Sequence, residues 1–149
     1  MISRFTSALI VAAALGLGAA QAQEKIVVST PNAPEAIGPY SQGVRVGRTL
    51  YLAGQIAIDP KTKEVKKDAS IEEQTKLVLD NLKAVLEADD MSMANVVSTT
   101  VYMKDLNEFA KMNQVYATYF PSAPPARATV EVARLPRDVK VEIGAVAVK

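Results

Sequence analysis

The chain has 149 residues, a length that suits one domain, and its 17 Lys and Arg against 16 Asp and Glu leave a formal charge of +1, with no basic field to hold a polyanion. Histidine, cysteine and tryptophan are all absent. Their absence excludes Ser-His-Asp and Cys-His nucleophile systems, disulfides, and zinc sites built from thiolate or imidazole, while leaving carboxylate sites for magnesium or calcium open. The first segment, Met1 to Ala22, reads MISRFTSALIVAAALGLGAAQA with Arg4 as its only charge. A short positive start, an apolar run from Ala8 to Ala20, and small residues at Ala20 and Ala22 form a signal-peptide pattern. The alternative is an uncleaved amphipathic or anchoring helix. Cleavage after Ala22 would leave one domain over residues 23–149, periplasmic or secreted, with no membrane contact once the signal is removed.

A short strand is expected at Ile26 to Val28, followed by a hairpin of Gly43 to Val46 and Thr49 to Ile58 closed around Gly47-Arg48. Ser70-Ile71-Glu72-Glu73 is a capping box opening a helix, whose apolar stripe is Ile71, Val78, Leu82, Val85 and Leu86. Val97, Thr99, Val101 and Met103 alternate along a strand. Asp105-Leu106-Asn107-Glu108 opens a second helix in the same manner, striped by Phe109, Met112, Tyr116, Tyr119 and Phe120 and stopped near Pro121. Two alternating strands close the chain, RATVEVAR from Arg127 and VKVEIGAVAV from Val139, with Leu135 to Asp138 as a turn between them. The order β-β-α-β-α-β-β, with helices interleaved among strands on a mixed sheet, predicts an α/β sandwich with both helices on one face. If Arg134 pairs with Val139, then Ala128, Val130, Val132, Val139, Val141, Ile143 and Ala145 face the helices. Arg127, Thr129, Glu131, Lys140, Glu142 and Gly144 would share the other face, which is either solvated or a polar cleft partly covered by another subunit.

Ala36-Ile37-Gly38-Pro39-Tyr40-Ser41-Gln42-Gly43, Gly54-Gln55-Ile56, the run from Pro125 to Pro136, and Val141-Glu142-Ile143 together resemble the reactive intermediate deaminases, the RidA/YjgF family. The likeness extends from about Ile26 to Val148. It implies a chorismate-mutase-like α+β fold assembled as a homotrimer, with sites in clefts between subunits. It also implies hydrolysis of 2-iminoacids, such as 2-iminobutanoate and 2-iminopropanoate, to 2-oxoacids and ammonia, with no metal or organic cofactor.

Residue by residue, the resemblance makes Arg127 the group that grips the substrate carboxylate, a task suited to a planar guanidinium. It makes Glu142 the acid and base that delivers water and moves protons. Without it, Arg127 reads as a solvated strand end and Glu142 as an exposed strand glutamate paired with Lys140 or Arg127. Tyr40, after the loop-forming Gly38-Pro39, would wall the site, or simply pack the loop. Asn113 would lie near the pocket, or cap a loop. Thr129 would contribute its backbone carbonyl, and Gly54 would line the substrate. Glu131 is read as structural or interfacial. Three positions depart from the common pattern: Ala53 where serine is frequent, Gly144 where a second glutamate is frequent, and Pro124 where phenylalanine is frequent. They keep a second function open, a non-catalytic small-carboxylate binder, with a chaperone-like role as a third. Lys61, Lys63, Lys66 and Lys67 could contact RNA, but in a neutral domain without an arginine-aromatic motif they read as a solvated loop, and no nucleic-acid partner is expected.

Overall fold

The structure is a computed structural model and describes residues 23–149. The segment read as a signal peptide, Met1 to Ala22, lies outside the described residues. Six strands form one sheet in the order β1-β2-β3-β6-β4-β5. β1 (Lys25–Val28), β2 (Gly43–Val46) and β3 (Thr49–Ile56) are followed by helix α1 (Ile71–Glu87) and β4 (Val96–Met103). Helix α2 (Phe109–Tyr119), β5 (Ala126–Glu131) and β6 (Val141–Val148) complete the chain. β6 runs antiparallel to both β3 and β4, filling the slot between them, and β5 runs parallel to β4 at the edge. Parallel neighbours need a crossover, and α2 supplies it between β4 and β5. Among the described residues, no helix is long and apolar enough to cross a membrane.

Local signals explain most of these elements. The expected hairpin of β2 and β3 forms, and its turn passes through Gly47 at φ 58°, a left-handed conformation that glycine adopts without strain. The α1 capping box is present in both directions: Glu73 N–H donates to Ser70 Oγ at 3.2 Å, and Ser70 N–H donates to Glu73 Oε2 at 2.9 Å. The second box forms only in half. Asp105 accepts from Asn107 N at 2.8 Å, a 3-10 turn occupies Leu106–Glu108, and α2 proper starts at Phe109.

The core lies between the helices and one face of the sheet. Val78, Leu79, Leu82 and Leu86 of α1 and Met112 of α2 pack there on Leu50, Val101, Val141 and Ile143. Alternation along β6 is strict, with Val141, Ile143, Ala145 and Ala147 buried and the residues between them half-buried.

The expected pairing of the last two strands is not what forms. β5 and β6 are not neighbours, because β4 stands between them. In the observed register Arg127 pairs with Thr99, Thr129 with Val101 and Glu131 with Met103. Those β4 partners point to the helices, so Arg127, Thr129 and Glu131 lie on the helix face and Val130, 43% exposed, lies on the open one. Glu142, paired with Tyr102, is on the open face. Arg127 and Glu142 therefore occupy opposite faces of the sheet, not one. The alternation was sound, but which face of this edge strand turns inward is set by its register with β4, which alternation within β5 does not reveal.

Candidate active site

A cleft opens beside the end of β3, where regular pairing with β6 breaks between Leu52 and Gln55. It encloses about 340 Å³ and is walled by Tyr40, Ile37, Ala53, Ile56, Pro136 and Glu142, among others. The irregularity lets Ala53 and Gly54 bow away from the ladder next to Glu142. A Cβ on Gly54 would collide with Glu142 Oε1, so only glycine leaves room for the carboxylate in this position. A second hollow of about 310 Å³ on the open face of the sheet shares Gly54 and Glu142 with the first. The carboxylate thus stands at the seam of the two.

Glu142 is half-buried and has no hydrogen-bond or ion-pair partner among the described residues. Burial pushes its pKa above the ordinary carboxyl value, because desolvation penalises the charged form and nothing nearby offsets it. Its strand is well anchored. Lys140 N–H donates to the buried Gln74 side chain at 2.8 Å, and Gln74 Nε2 donates in turn to Lys67 O at 2.9 Å.

Tyr40 belongs to a loop that the sequence left without visible support. That support is Gln42, which is 5% exposed. Its Oε1 accepts from Thr30 N at 2.7 Å, and its Nε2 reaches the carbonyls of Thr30, Ala33 and Pro34 at 3.1, 3.2 and 2.7 Å. One amide side chain therefore holds the whole entry segment against the body, and Ala53 N–H returns a bond to its backbone carbonyl at 3.0 Å. The Tyr40 hydroxyl accepts from Ile37 N at 3.2 Å, fixing the ring at the mouth of the cleft. Gln42 was visible in the motif beside Gly43, but a buried amide signals itself only through its partners, which lie 8 to 12 residues away.

The remaining predicted site residues gather elsewhere. Arg127 leans from β5 onto α2, with its guanidinium carbon 4.5 Å from the Tyr116 ring centroid and 5.6 Å from that of Phe109. Asn113, half-buried, shares that helix face, four residues after Phe109 and three before Tyr116. Thr129 follows on the same side of β5, and its buried hydroxyl has no partner. Glu131, the third in this row, accepts from Leu106 N at 2.8 Å and so caps the 3-10 turn leading into α2, in keeping with a structural role. Within one chain the predicted site residues thus fall into two groups: Tyr40, Gly54 and Glu142 at the cleft, and Arg127, Asn113 and Thr129 along the far edge. Among the described residues, no three or more Asp or Glu side chains converge into a group that could hold a metal ion.

Residues 30–149 match the family model described as Endoribonuclease L-PSP. A RutC family protein of Pyrococcus horikoshii is 56% identical over 125 residues, covering 84% of this chain and 98% of its own. The 2-iminobutanoate/2-iminopropanoate deaminase of Escherichia coli K12 is 49% identical over 125 residues, or 82% of this chain and 96% of that protein. The solved YjgF gene product of E. coli matches with a TM-score of 0.80 at 48% identity, covering 83% of this chain and 98% of that one. Sequence match and fold agree over nearly all of the described residues, with the same two helices laid on the same mixed sheet, and the chain belongs to the RidA/YjgF family.

Proposed function

We propose that this protein is a 2-iminoacid deaminase, hydrolysing substrates such as 2-iminobutanoate and 2-iminopropanoate to 2-oxoacids and ammonia. The observation that carries the reading is the Glu142 carboxylate, half-buried and unpartnered, with Gly54 cleared beside it at the seam of two hollows. The 49% identity to a protein named for this activity supports it.

Hydrolysis of a protonated imine needs no strong nucleophile, since the iminium carbon is already electrophilic. Glu142 takes a proton from a water whose oxygen bonds to that carbon, giving a neutral carbinolamine. The carboxylic acid so formed returns the proton to the amine nitrogen. The C–N bond then breaks and ammonia leaves as the hydroxyl becomes the carbonyl. That hydroxyl's proton passes back to Glu142 and on to ammonia. A carboxyl whose pKa is raised toward the working pH can serve as base and acid in turn.

Arg127 is the group suited to the substrate carboxylate, through two parallel N–H donors. Because it lies on the opposite face from Glu142 within one protomer, the reading requires a homotrimer in which Arg127 of one copy meets the Glu142 cleft of the next. Ammonia release from 2-iminobutanoate generated in situ tests the activity. Turnover above buffer, lost in Arg127→Ala, is the expected result. Saturable binding of 2-oxobutanoate without turnover would instead make the protein a small-carboxylate binder. Export is part of the proposal, and recovery from a periplasmic extract of a chain beginning at Gln23 is the outcome that checks it.

A further inference from the structure

The Arg127 side chain is exposed, yet it is not left to wander. It rests on the Tyr116 ring at 4.5 Å, and Tyr116 is itself immobilised. The ring is buried, it lies 4.7 Å from that of Phe120, and its hydroxyl is 2.7 Å from Thr99 Oγ1. Thr99 is also the register partner of Arg127. Strand β4, helix α2 and edge strand β5 are therefore tied together at the one point where the guanidinium crosses to the helix. Among the described residues no carboxylate lies within ion-pairing distance of Arg127. This matters because a carboxylate partner would occupy the N–H edge, whereas an aromatic face holds the flat side of the cation and leaves that edge free to donate.

We propose that Tyr116 is a positioning residue for Arg127: its ring, locked by Thr99, pre-sets the guanidinium with N–H donors that no carboxylate of the described residues occupies, ready for a ligand carboxylate. An unrestrained arginine gives up much of its rotamer freedom when it grips a ligand, and a side chain already ordered in the free protein loses less. Burial pushes the Tyr116 phenol upward, against the opposing pulls of the Thr99 bond and of the charge and N–H donors of Arg127. It therefore stays a neutral phenol over the working range, and no phenolate competes for the cation. The identity of the ligand, a 2-iminoacid or its 2-oxoacid product, rests on the deaminase reading, while the placement of Arg127 does not.

The test is a pair of variants, Tyr116→Leu and Tyr116→Phe, read by 2-oxobutanoate binding and by the side-chain NMR signal of Arg127 Nε–H. Tyr116→Leu is expected to weaken binding about three- to tenfold and to cut the ring-current shift of Arg127 to what the Phe109 ring at 5.6 Å supplies, whereas Tyr116→Phe keeps the ring, the shift and most of the affinity. In an Arg127→Ala background, Tyr116→Leu should cause no further loss, because its effect acts through the missing guanidinium. Equal losses with and without Arg127 would overturn the proposal. So would a fall in Tm alone with affinity and Arg127 resonance unchanged, or a wild type with no affinity for 2-oxobutanoate. If Tyr116→Leu does not fold, Thr99→Val loosens the ring without emptying the core. It is expected to weaken binding about twofold and broaden the Arg127 signal, and no change in either would overturn the proposal. Wild type that binds 2-oxobutanoate but releases no ammonia from imines would remove the deaminase reading while leaving these readouts, and the role of Tyr116, in place.

Discussion

Glu142 occupies a site unfavourable to a carboxylate, half-buried with no donor to satisfy it, and two consequences separate cleanly. In Glu142→Gln the general acid and base is lost with little change in shape, so kcat should fall about 10²- to 10⁴-fold with KM nearly unchanged. Stability should move the other way. The folded-state pKa is raised, so the folded protein holds this proton more tightly than the unfolded chain does. The associated stabilisation is complete below the ordinary carboxyl range and is lost as pH rises through the raised value. At pH 7 the charged carboxylate is a burden that Gln does not carry, and Glu142→Gln should melt at or above the wild-type Tm. Melting curves at pH 4 and pH 7 check this, and a lower Tm for the variant at pH 7 would mean that the carboxylate has a partner. Gly54→Ala probes the same point from the other side. Its Cβ would take the place of Glu142 Oε1 and force the carboxylate to swing away, so kcat/KM should drop while the cleft itself remains.

Among the elements, α2 and β5 meet through particular side chains. Glu131 caps the entry to α2, and Arg127 lies along its face. Removing the cap with Glu131→Ala should cost about 1 kcal/mol of stability, whereas Glu131→Gln, which keeps an acceptor oxygen, should cost less; denaturant midpoints distinguish the two. This is also where sequence reading reached its limit. The β2–β3 hairpin and the α1 start were legible because turn and cap chemistry are local, written within four residues at Gly47 and at Ser70 to Glu73. The arrangement of β5 was not, because Arg127, Thr129 and Glu131 alternate with Ala128 and Val130 whichever way the strand faces. Valine suggested an inward face, and only pairing with β4 through a helical crossover shows that it turns outward. The site was legible to the same extent. The motif supplied the candidate residues, but Gln42 and Tyr116, which hold Tyr40 and Arg127 in place, act through partners distant in the chain and left no local pattern.

At the scale of the whole molecule, the face parity of Arg127 and Glu142 turns the proposed chemistry into a statement about assembly. A lone protomer cannot bring both groups to one small ligand, since the sheet lies between them. A ring of identical subunits with head-to-tail contacts can, if each gap joins the edge strand of one copy to the cleft of the next. Subunit mixing tests this directly. Arg127→Ala and Glu142→Gln homo-oligomers should each be nearly inactive. Unfolded together in equal amounts and refolded, they reassort at random. A site regains both intact groups whenever an Arg-bearing copy precedes a Glu-bearing one in the ring, so about a quarter of the sites should recover. Ammonia release near that fraction of wild type, absent when the two preparations are mixed without unfolding, is the expected result. No recovery after verified subunit exchange would mean that the two groups never share a ligand, and the carboxylate grip would have to be sought in residues on the same face as Glu142.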